Sequence, residues 1–237
     1  MKNFVILLAG GNGTRMKSDV PKQFLLVNKK PIIAYTLEAF HRNDLIDGII
    51  IVCVKQWIKH LETIVDKYCF KKVCQIVEGG ATSHESIRNG VFSLRKKLKD
   101  DDFIVVHDAV RPIVPQRIID DLLSVAHEHG NASSSTECHP PIVLTDDKIS
   151  GNRDIDREHV MLTAAPQAFN YELVYHLYEK AEEEHKNNFT YTSSLLIHYG
   201  ERVYFSLGTT NNIKITRKED LLLFEALLTI PEERFTY

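Results

Sequence analysis

The sequence predicts an α/β fold in which βαβ units build a parallel sheet. Three apolar runs, at residues 4–8, 48–54 and 103–107, are typical of strands that are buried on both faces. Segments with a helical period separate these runs, as the crossovers of a parallel sheet require. The chain has 237 residues, and α/β folds often run to about 200–250 residues as one unit, so we expect a single domain.

The remaining elements follow in order along the chain. Helices are predicted at residues 31–40, 57–68, 86–98, 115–129, 171–185 and 218–229, and further strands at 73–77, 160–163 and 202–207. Residues 130–157 have little periodicity and are rich in Ser, Thr, Asp, Asn and Pro. Because a plain loop of that length is uncommon inside a compact domain, we expect an excursion with its own β-structure. The prediction is one domain, residues 1–237, from which residues 131–158 project as an arm.

Composition excludes several classes of protein. The 29 Lys and Arg against 32 Asp and Glu give a net charge of −3, so no global field attracts nucleic acid or an anionic membrane, and phosphate binding must be local. No apolar segment approaches the roughly 20 residues of a membrane-spanning helix, and Gly10 and Gly11 interrupt the first apolar run before it resembles a signal peptide. The four cysteines form no C-x-x-C pair, which predicts reduced thiols and a cytoplasmic location.

The loop after the first strand is the strongest candidate for a binding site. Gly10, Gly11 and Gly13 leave backbone amides uncovered, so the loop can fold closely around phosphate oxygens, and Arg15 and Lys22 add two cations. Neither the P-loop spacing nor the dinucleotide glycine fingerprint is present. We interpret the segment as a nucleotide phosphate loop; an ordinary glycine turn between a strand and a helix is the alternative.

Two further loops follow predicted strands, where ligands of parallel sheets bind. Residues 79–86 begin with two glycines, and Ser86 is either a ligand-binding residue or an ordinary helix cap. Asp108 at the end of the third apolar strand is a natural Mg²⁺ ligand, and Arg111 can pair with it or with a phosphate. A structural turn pairing of Asp108 with Arg111 is the alternative. Lys214, between two isoleucines, either points into a cleft or is a solvated strand lysine.

Six motifs in the chain carry a family resemblance. They are Leu8-Ala9-Gly10-Gly11-x-Gly13-x-Arg15-Met16, Pro21-Lys22-Gln23-Phe24, Gly79-Gly80, His107-Asp108-Ala109-Val110-Arg111-Pro112, Ala165-Pro166-Gln167-Ala168-Phe169 and Asn212-Ile213-Lys214-Ile215-Thr216. Together they span nearly the whole chain in the family's order, which makes the combination specific. With them the chain resembles the family of 2-C-methyl-D-erythritol 4-phosphate and ribitol-5-phosphate cytidylyltransferases.

The resemblance implies a Rossmann-like, mostly parallel sheet of the nucleotidyltransferase type, with a projecting β-arm that forms a homodimer. It implies Mg²⁺-dependent transfer of CMP from CTP to a polyol phosphate, with release of pyrophosphate. The catalytic residues carried over are Arg15 and Lys22 at the α-phosphate, Arg157 reaching into the neighbouring subunit's site, and Lys214 positioning the incoming phosphate. Asp108 would hold the metal.

The same resemblance assigns nucleotide binding to a larger set of residues in the three loops. These are Leu8, Ala9, Gly10, Gly11, Gly13, Arg15, Lys22, Gly79, Gly80, Ala81, Thr82, Ser86, Asp108, Ala109 and Arg111. The expected partners are CTP, a polyol phosphate and a second copy of the chain, with neither nucleic acid nor membrane.

Several positions depart from the family pattern and bear on the acceptor. Asn211 stands where some relatives have an aspartate, and Ser83 stands where a basic residue is common. Residues 164–165 and 140–142 differ from the methylerythritol enzymes, whereas residues 56–60 resemble the ribitol-phosphate branch. We therefore expect ribitol 5-phosphate as acceptor. 2-C-methyl-D-erythritol 4-phosphate, a non-catalytic nucleotide-binding protein and, more remotely, an oxidoreductase are the alternatives.

Overall fold

The computed structural model of the protein describes residues 1–11 and 20–235. The strands of this part of the chain are β1 (Asn3–Ala9), β2 (Leu26–Val27), β3 (Lys30–Pro31), β4 (Gly48–Cys53), β5 (Val73–Glu78), β6 (Phe103–Asp108), β7 (Asn131–Glu137), β8 (Ile142–Leu144), β9 (Arg153–Ile155), β10 (Met161–Asn170) and β11 (Phe205–Leu207). The helices are α1 (Ile32–His41), α2 (Ile58–Lys67), α3 (Ser83–Ser93), α4 (Gln116–His129), α5 (Tyr171–Glu183), α6 (Thr192–His198) and α7 (Lys218–Leu227).

The central sheet is mostly parallel, as predicted. Its seven strands within the described residues have the order β11-β7-β10-β6-β1-β4-β5. Strand β1 pairs in parallel with β4 on one side and β6 on the other, and β5 pairs in parallel with β4. Strand β10 runs antiparallel to both β6 and β7, while β11 is parallel to β7. The α/β fold class is therefore confirmed.

The apolar runs form central strands because both of their faces are covered by helices. Val5 and Leu7 of β1 belong to a buried cluster that includes residues of α1, α2 and α4. Ile6, which points to the opposite face, belongs to a second cluster with residues of α3, α5 and α6. All three side chains are fully buried. Alternate residues of a strand point to opposite faces, so a run without polar residues is stable only between two apolar layers.

The predicted helices and strands exist, with corrections at several boundaries. Helix α3 begins at Ser83 rather than Ser86, because the Thr82 hydroxyl accepts a hydrogen bond from the Glu85 amide at 3.1 Å and caps the helix there. The strand expected at residues 160–163 is the start of the longer β10, and the strand expected at 202–207 is shortened to β11. Helix α6 was not predicted from the sequence.

The arm begins later than predicted. Residues 131–137, the first part of the predicted arm at 131–158, form β7 inside the central sheet. This polar segment can be buried because its serine hydroxyls are hydrogen-bonded: Ser135 Oγ donates to the Ser133 carbonyl at 2.8 Å, and Ser134 Oγ donates to the Leu207 carbonyl of the neighbouring strand at 3.1 Å. The arm proper contains the separate, largely exposed ribbon of β8 and β9.

Two further predictions concern the state of the cysteine thiols and the presence of membrane-spanning helices. Cys53, Cys69, Cys74 and Cys138 are all free thiols, as their spacing predicted. In the described part of the chain, no helix combines the length and apolar character needed to cross a bilayer.

The packing of α3 on the sheet gives a stability prediction at Gly90. A Cβ at this position would lie 2.6 Å from Ile6 Cγ2 and 3.1 Å from Val52 Cγ2, both in the buried core. Replacing Gly by Ala in a helix gains about 1 kcal/mol of propensity, but overpacking a core typically costs about 1–3 kcal/mol. The net of these two effects is a loss of up to about 2 kcal/mol, and we expect Gly90→Ala to lower the free energy of unfolding by roughly 1 kcal/mol in urea denaturation. The exposed Lys96→Ala is the control and should change it little; a Gly90→Ala protein as stable as wild type would contradict this packing.

Candidate functional site

A cleft of about 310 Å³ lies where the loops after β1, β5 and β6 converge. Its lining includes the amide-rich loop start, the second glycine turn, one carboxylate and two lysines. The residues are Leu8, Ala9, Gly10, Gly11, Lys22, Gln23, Gly80, Ala81, Thr82, Ser83, Ser86, Asp108, Val110 and Lys214. Since β1 and β6 are adjacent and parallel, their carboxyl ends meet at this edge of the sheet, with Leu8 in register with Asp108.

Most of the residues predicted for the site meet in this cleft. Gly79 lies next to it, with its Cβ position 3.2 Å from Ser86 Oγ. Ala109 is fully buried beneath it, and its amide donates to the Leu8 carbonyl at 3.0 Å, which ties the first loop to the third. Gly13 and Arg15 lie outside the described residues.

Lys22 is held in position by contacts of its own ammonium and of the residues that follow it. It begins a short 3-10 helix, Lys22–Phe24, whose other two side chains are buried. Gln23 Nε2 donates to the Ala9 carbonyl at 2.8 Å, so the turn is fixed to the start of the first loop. The Lys22 ammonium donates to the Ile215 carbonyl at 2.9 Å. Gln23 was missed as a site residue, although its place directly after Lys22 in the Pro-Lys-Gln motif was the available signal.

The second loop is a tight turn at the start of α3. Gly80 is required there, because a Cβ would lie 2.2 Å from Glu85 Cβ. The Ala81 amide donates to Glu85 Oε2 at 2.7 Å, and the Gly80 amide donates to Ser86 Oγ at 3.1 Å. Ser86 is therefore not the helix cap; its hydroxyl holds the backbone of the turn at the edge of the cleft, and its assignment to nucleotide binding stays a prediction. The helix N-terminus that results is suited to an anionic or acceptor-rich ligand.

The third loop contains an ionised carboxylate between two cations. Lys214 Nζ donates to Asp108 Oδ1 at 2.9 Å and Arg111 Nε donates to Asp108 Oδ2 at 3.0 Å. Burial by itself raises the pKa of Asp108, but the nearby Lys214 ammonium and its hydrogen bond, together with Arg111, outweigh burial and hold the pKa below its usual range. The structural pairing of Asp108 with Arg111 and the cleft location of Asp108 are thus both present.

Arg111 is in turn held by its neighbours. Its Nη1 donates to the Asn212 carbonyl at 2.7 Å. Its own carbonyl accepts a hydrogen bond from His107 Nε2 at 3.0 Å, which fixes the proton of the neutral imidazole on Nε2. Burial lowers the pKa of His107 to about 4, because a charged imidazole would lose its hydration there.

Arg157 is not in the cleft of its own chain. It lies in the 3-10 turn Arg157–His159 of the arm, and its Nη1 donates to the His139 carbonyl at 2.7 Å. A contribution of Arg157 to catalysis therefore requires a second subunit.

The cleft offers a magnesium ion a single protein carboxylate. Among the described residues, no group of three or more His, Cys, Asp or Glu side chains is close enough to hold a metal. Asp108 supplies one ionised carboxylate beside the first loop, and Mg²⁺ in phosphoryl-transfer sites takes one or two carboxylates plus substrate phosphates. The donor set suits a metal–nucleotide complex rather than a protein-only metal site.

A mostly parallel sheet whose strand ends form a cleft lined by glycine backbone, two lysines and one carboxylate is the arrangement expected of a nucleotidyltransferase. The model of the family described as "IspD: 2-C-methyl-D-erythritol 4-phosphate cytidylyltransferase" matches residues 3–230, and the chain belongs to this family. The family resemblance drawn from the six motifs is thereby confirmed.

Relatives with both acceptor names match at similar identity. Ribitol-5-phosphate cytidylyltransferase from Lacticaseibacillus paracasei is 36% identical over 94% of this chain and 96% of its own length. 2-C-methyl-D-erythritol 4-phosphate cytidylyltransferase from Clostridium botulinum is 37% identical over 96% and 97%. Among solved structures, 4-diphosphocytidyl-2C-methyl-D-erythritol synthase from Anaerococcus prevotii has a TM-score of 0.80 at 26% identity, covering 97% of this chain and 96% of its own. The comparisons establish a cytidylyltransferase and leave the acceptor open.

The buried neutral imidazole predicts a pH dependence of stability. The unfolded chain takes up a proton at His107 near pH 6.5, whereas the folded chain does so only at about pH 4. Between these values the unfolded state binds more protons, so the stability that His107 contributes falls as the pH falls. We expect the difference in free energy of unfolding between wild type and His107→Gln to decrease as the pH is lowered from about 7 to 5.

Urea denaturation of both proteins at a series of pH values measures this difference. The glutamine amide can still donate to the Arg111 carbonyl but does not titrate. Burial also lowers the pKa of His41, His84 and His127, but these residues are present in both proteins and cancel in the difference. A difference that does not change with pH would contradict a neutral buried His107.

Proposed function

We propose that this protein transfers CMP from CTP to a polyol phosphate, with ribitol 5-phosphate as the favoured acceptor and Mg²⁺ as cofactor. The observation that carries the proposal is the convergence of Lys22, Lys214 and Asp108 on one cleft at the end of β1, beside the start of the glycine loop. Cations and one carboxylate around an amide-lined cup are the groups that a metal-bound triphosphate needs.

The proposed reaction needs no covalent intermediate with the protein. A phosphate oxygen of the acceptor attacks the α-phosphorus of CTP and forms the new P–O bond. The bond from the α-phosphorus to the bridging oxygen breaks, and pyrophosphate leaves with that electron pair. Positioning and charge neutralisation are what such a displacement requires of the protein.

Each charged residue of the cleft has a proposed task. Lys22, together with Arg15, stabilises the negative charge that increases on the α-phosphate in the transition state. Lys214 binds the phosphate of the acceptor, and Arg157 reaches the same site from a partner subunit. Asp108 would hold Mg²⁺, which when bound neutralises charge on the nucleotide phosphates.

Residues 56–60, which resemble the ribitol-phosphate branch, lie behind the cleft rather than in it. Trp57 and His60 pack against Phe24, with ring centroids 5.3 and 4.9 Å away. Phe24 ends the turn that carries Lys22. These residues therefore support the position of Lys22, and their resemblance to the ribitol-phosphate branch favours ribitol 5-phosphate without a contact to the acceptor.

We also propose that the arm forms a homodimer. The ribbon of β8 and β9 exposes Val143, Leu144 and Ile155, of which Val143 is 56% exposed. An isolated two-stranded ribbon is marginally stable in water, so a partner that covers these side chains would stabilise it. The four free thiols support a reducing, cytoplasmic location for this dimer.

A panel of acceptors tests the proposed function. The protein is incubated with CTP, Mg²⁺ and either ribitol 5-phosphate or 2-C-methyl-D-erythritol 4-phosphate, and released pyrophosphate is measured. We expect release with ribitol 5-phosphate to exceed release with the other acceptor. The opposite order would assign the protein to the methylerythritol enzymes, and CTP binding without release on any acceptor would favour a non-catalytic nucleotide-binding protein.

Lys22→Ala tests the assignment of the transition-state cation. We expect kcat/KM for CMP transfer to fall by about 10²–10³, as for the loss of one group that stabilises transition-state charge, while the unfolding midpoint stays close to that of wild type. Lys59→Ala removes the same charge from an exposed position of α2 outside the cleft lining and should keep normal turnover. Near-normal turnover of Lys22→Ala would remove Lys22 from the catalytic residues.

A further inference from the structure

We infer that Gln23 is a positioning residue for the nucleotide: its side chain holds the Ala9 carbonyl so that the amide of Gly10 points into the cleft. Gln23 then acts on the ligand through the backbone of the glycine loop. The inference rests on the proposed function for the identity of the ligand as a nucleoside triphosphate, but its central claim concerns only the direction of one peptide group and the binding of an anion to it.

The side chain of Gln23 is fixed by the turn that carries it. Gln23 is only 1% exposed, and the amide of the next residue, Phe24, donates to the Pro21 carbonyl at 2.9 Å and closes the turn. Phe24 is also buried and packs against Trp57, with ring centroids 5.3 Å apart. The Gln23 Nε2 donor therefore has a set position, and its 2.8 Å hydrogen bond fixes the direction of the Ala9 carbonyl.

The direction of the Ala9 carbonyl determines the direction of the amide that follows it. In a trans peptide group the C=O and N–H bonds point in opposite directions, so the Gly10 N–H points away from Gln23. The sheet shows which side that is. The Leu8 carbonyl accepts from the Ala109 amide at 3.0 Å and thus faces β6. Since successive carbonyls of a strand face opposite neighbours, the Ala9 carbonyl faces β4 and the Gly10 amide faces β6.

The functional cleft lies on the β6 side of the loop. Gly10 and Asp108 both line it, and a Cβ on Gly10 would be 3.7 Å from Ser86 Oγ, so Gly10 lies between the first and the second loop. The negative charge of Asp108 is offset, because its two oxygens accept hydrogen bonds from Lys214 and Arg111. The Gly10 amide therefore has the direction and the surroundings of a group that donates to an anionic oxygen.

The Gly10 amide can be observed directly by nuclear magnetic resonance. The chain has 11 glycines, so labelling with ¹⁵N-glycine gives a simple amide spectrum, in which the signal that is lost in Gly10→Ala identifies Gly10. Inorganic tripolyphosphate is the probe, because it presents the anionic oxygens of a triphosphate without a nucleoside. We expect it to move the Gly10 amide proton downfield in the wild type, as a hydrogen bond to an anion does, and much less in Gln23→Met, which has a side chain of similar length but no donor.

Calorimetric titration measures the effect on affinity. We expect Gln23→Met to bind tripolyphosphate and CTP about tenfold more weakly than the wild type, since a hydrogen bond to a charged group is lost. Gln116→Met is the matched control, because it also removes a hydrogen bond from a glutamine amide to a backbone carbonyl, that of Ala39 at 2.9 Å, but outside the cleft lining. It should keep the wild-type affinity and the wild-type shift of Gly10, even where it lowers the unfolding temperature by as much.

Wild-type affinity or a wild-type Gly10 shift in folded Gln23→Met would overturn the inference. So would an equal loss of affinity in Gln116→Met, or a Gly10 signal that tripolyphosphate does not move in the wild type. Thermal unfolding verifies that each variant is folded, and Gln23→Leu takes the place of Gln23→Met if the latter does not fold. Because no turnover is measured, these outcomes are separate from the acceptor panel: absence of pyrophosphate release with every acceptor would refute the proposed transfer and leave the result for anion binding as it stands.

Discussion

The site depends on the pairing of β1 with β6 in the centre of a sheet that is covered on both faces. Val5, Ile6 and Leu7 fix β1 between two layers of helices, so the strand has no freedom to shift its register. In that register Leu8 lies opposite Asp108, and the Ala109 amide donates to the Leu8 carbonyl. The first loop and the carboxylate are therefore neighbours as a consequence of core packing, before any ligand is present.

The charged groups of the cleft are held in place by buried polar side chains that bond to the backbone of the loops. Gln23 fixes the Lys22 turn to Ala9, Ser86 fixes Gly80, and Asn212 connects Arg111 to β10. Each of these side chains is buried and bonded to a backbone group. Such supporting bonds reduce the reorganisation that catalytic groups must undergo, which is where much of the rate enhancement of phosphoryl-transfer enzymes originates.

Sequence patterns alone predicted the strands and helices that are determined by their own residues. Strands β1, β4 and β6 are apolar on both faces, and this pattern by itself indicates strands that are covered on both sides of a sheet. Strand β7 could not be found in this way, because Ser133 and Ser134 have the composition of a loop and are buried only through partners such as the Leu207 carbonyl. The short helix α6 likewise depends on burial of Leu195 and Leu196 against distant residues.

The features of the candidate site also fall into two groups, those that the sequence could predict and those that only the structure shows. Glycines, lysines and Asp108 at strand ends could be recognised because their chemistry is present in the residues themselves. The cap at Thr82 and the occupation of both Asp108 oxygens could not, since several residue types fit each position equally well in sequence. Which donor pairs with which acceptor depends on distances that are known only from the folded structure.

Strand β10 connects the arm to the cleft, which bears on the proposed dimer. It runs from Met161 beside the arm to Asn170 in the core, and at Ala165 it accepts the bond from Asn212, whose carbonyl holds Arg111 at Asp108. One strand and three hydrogen bonds therefore connect the arm to the carboxylate. In the proposed dimer, a change in the contact between subunits would therefore also alter the charge environment of Asp108.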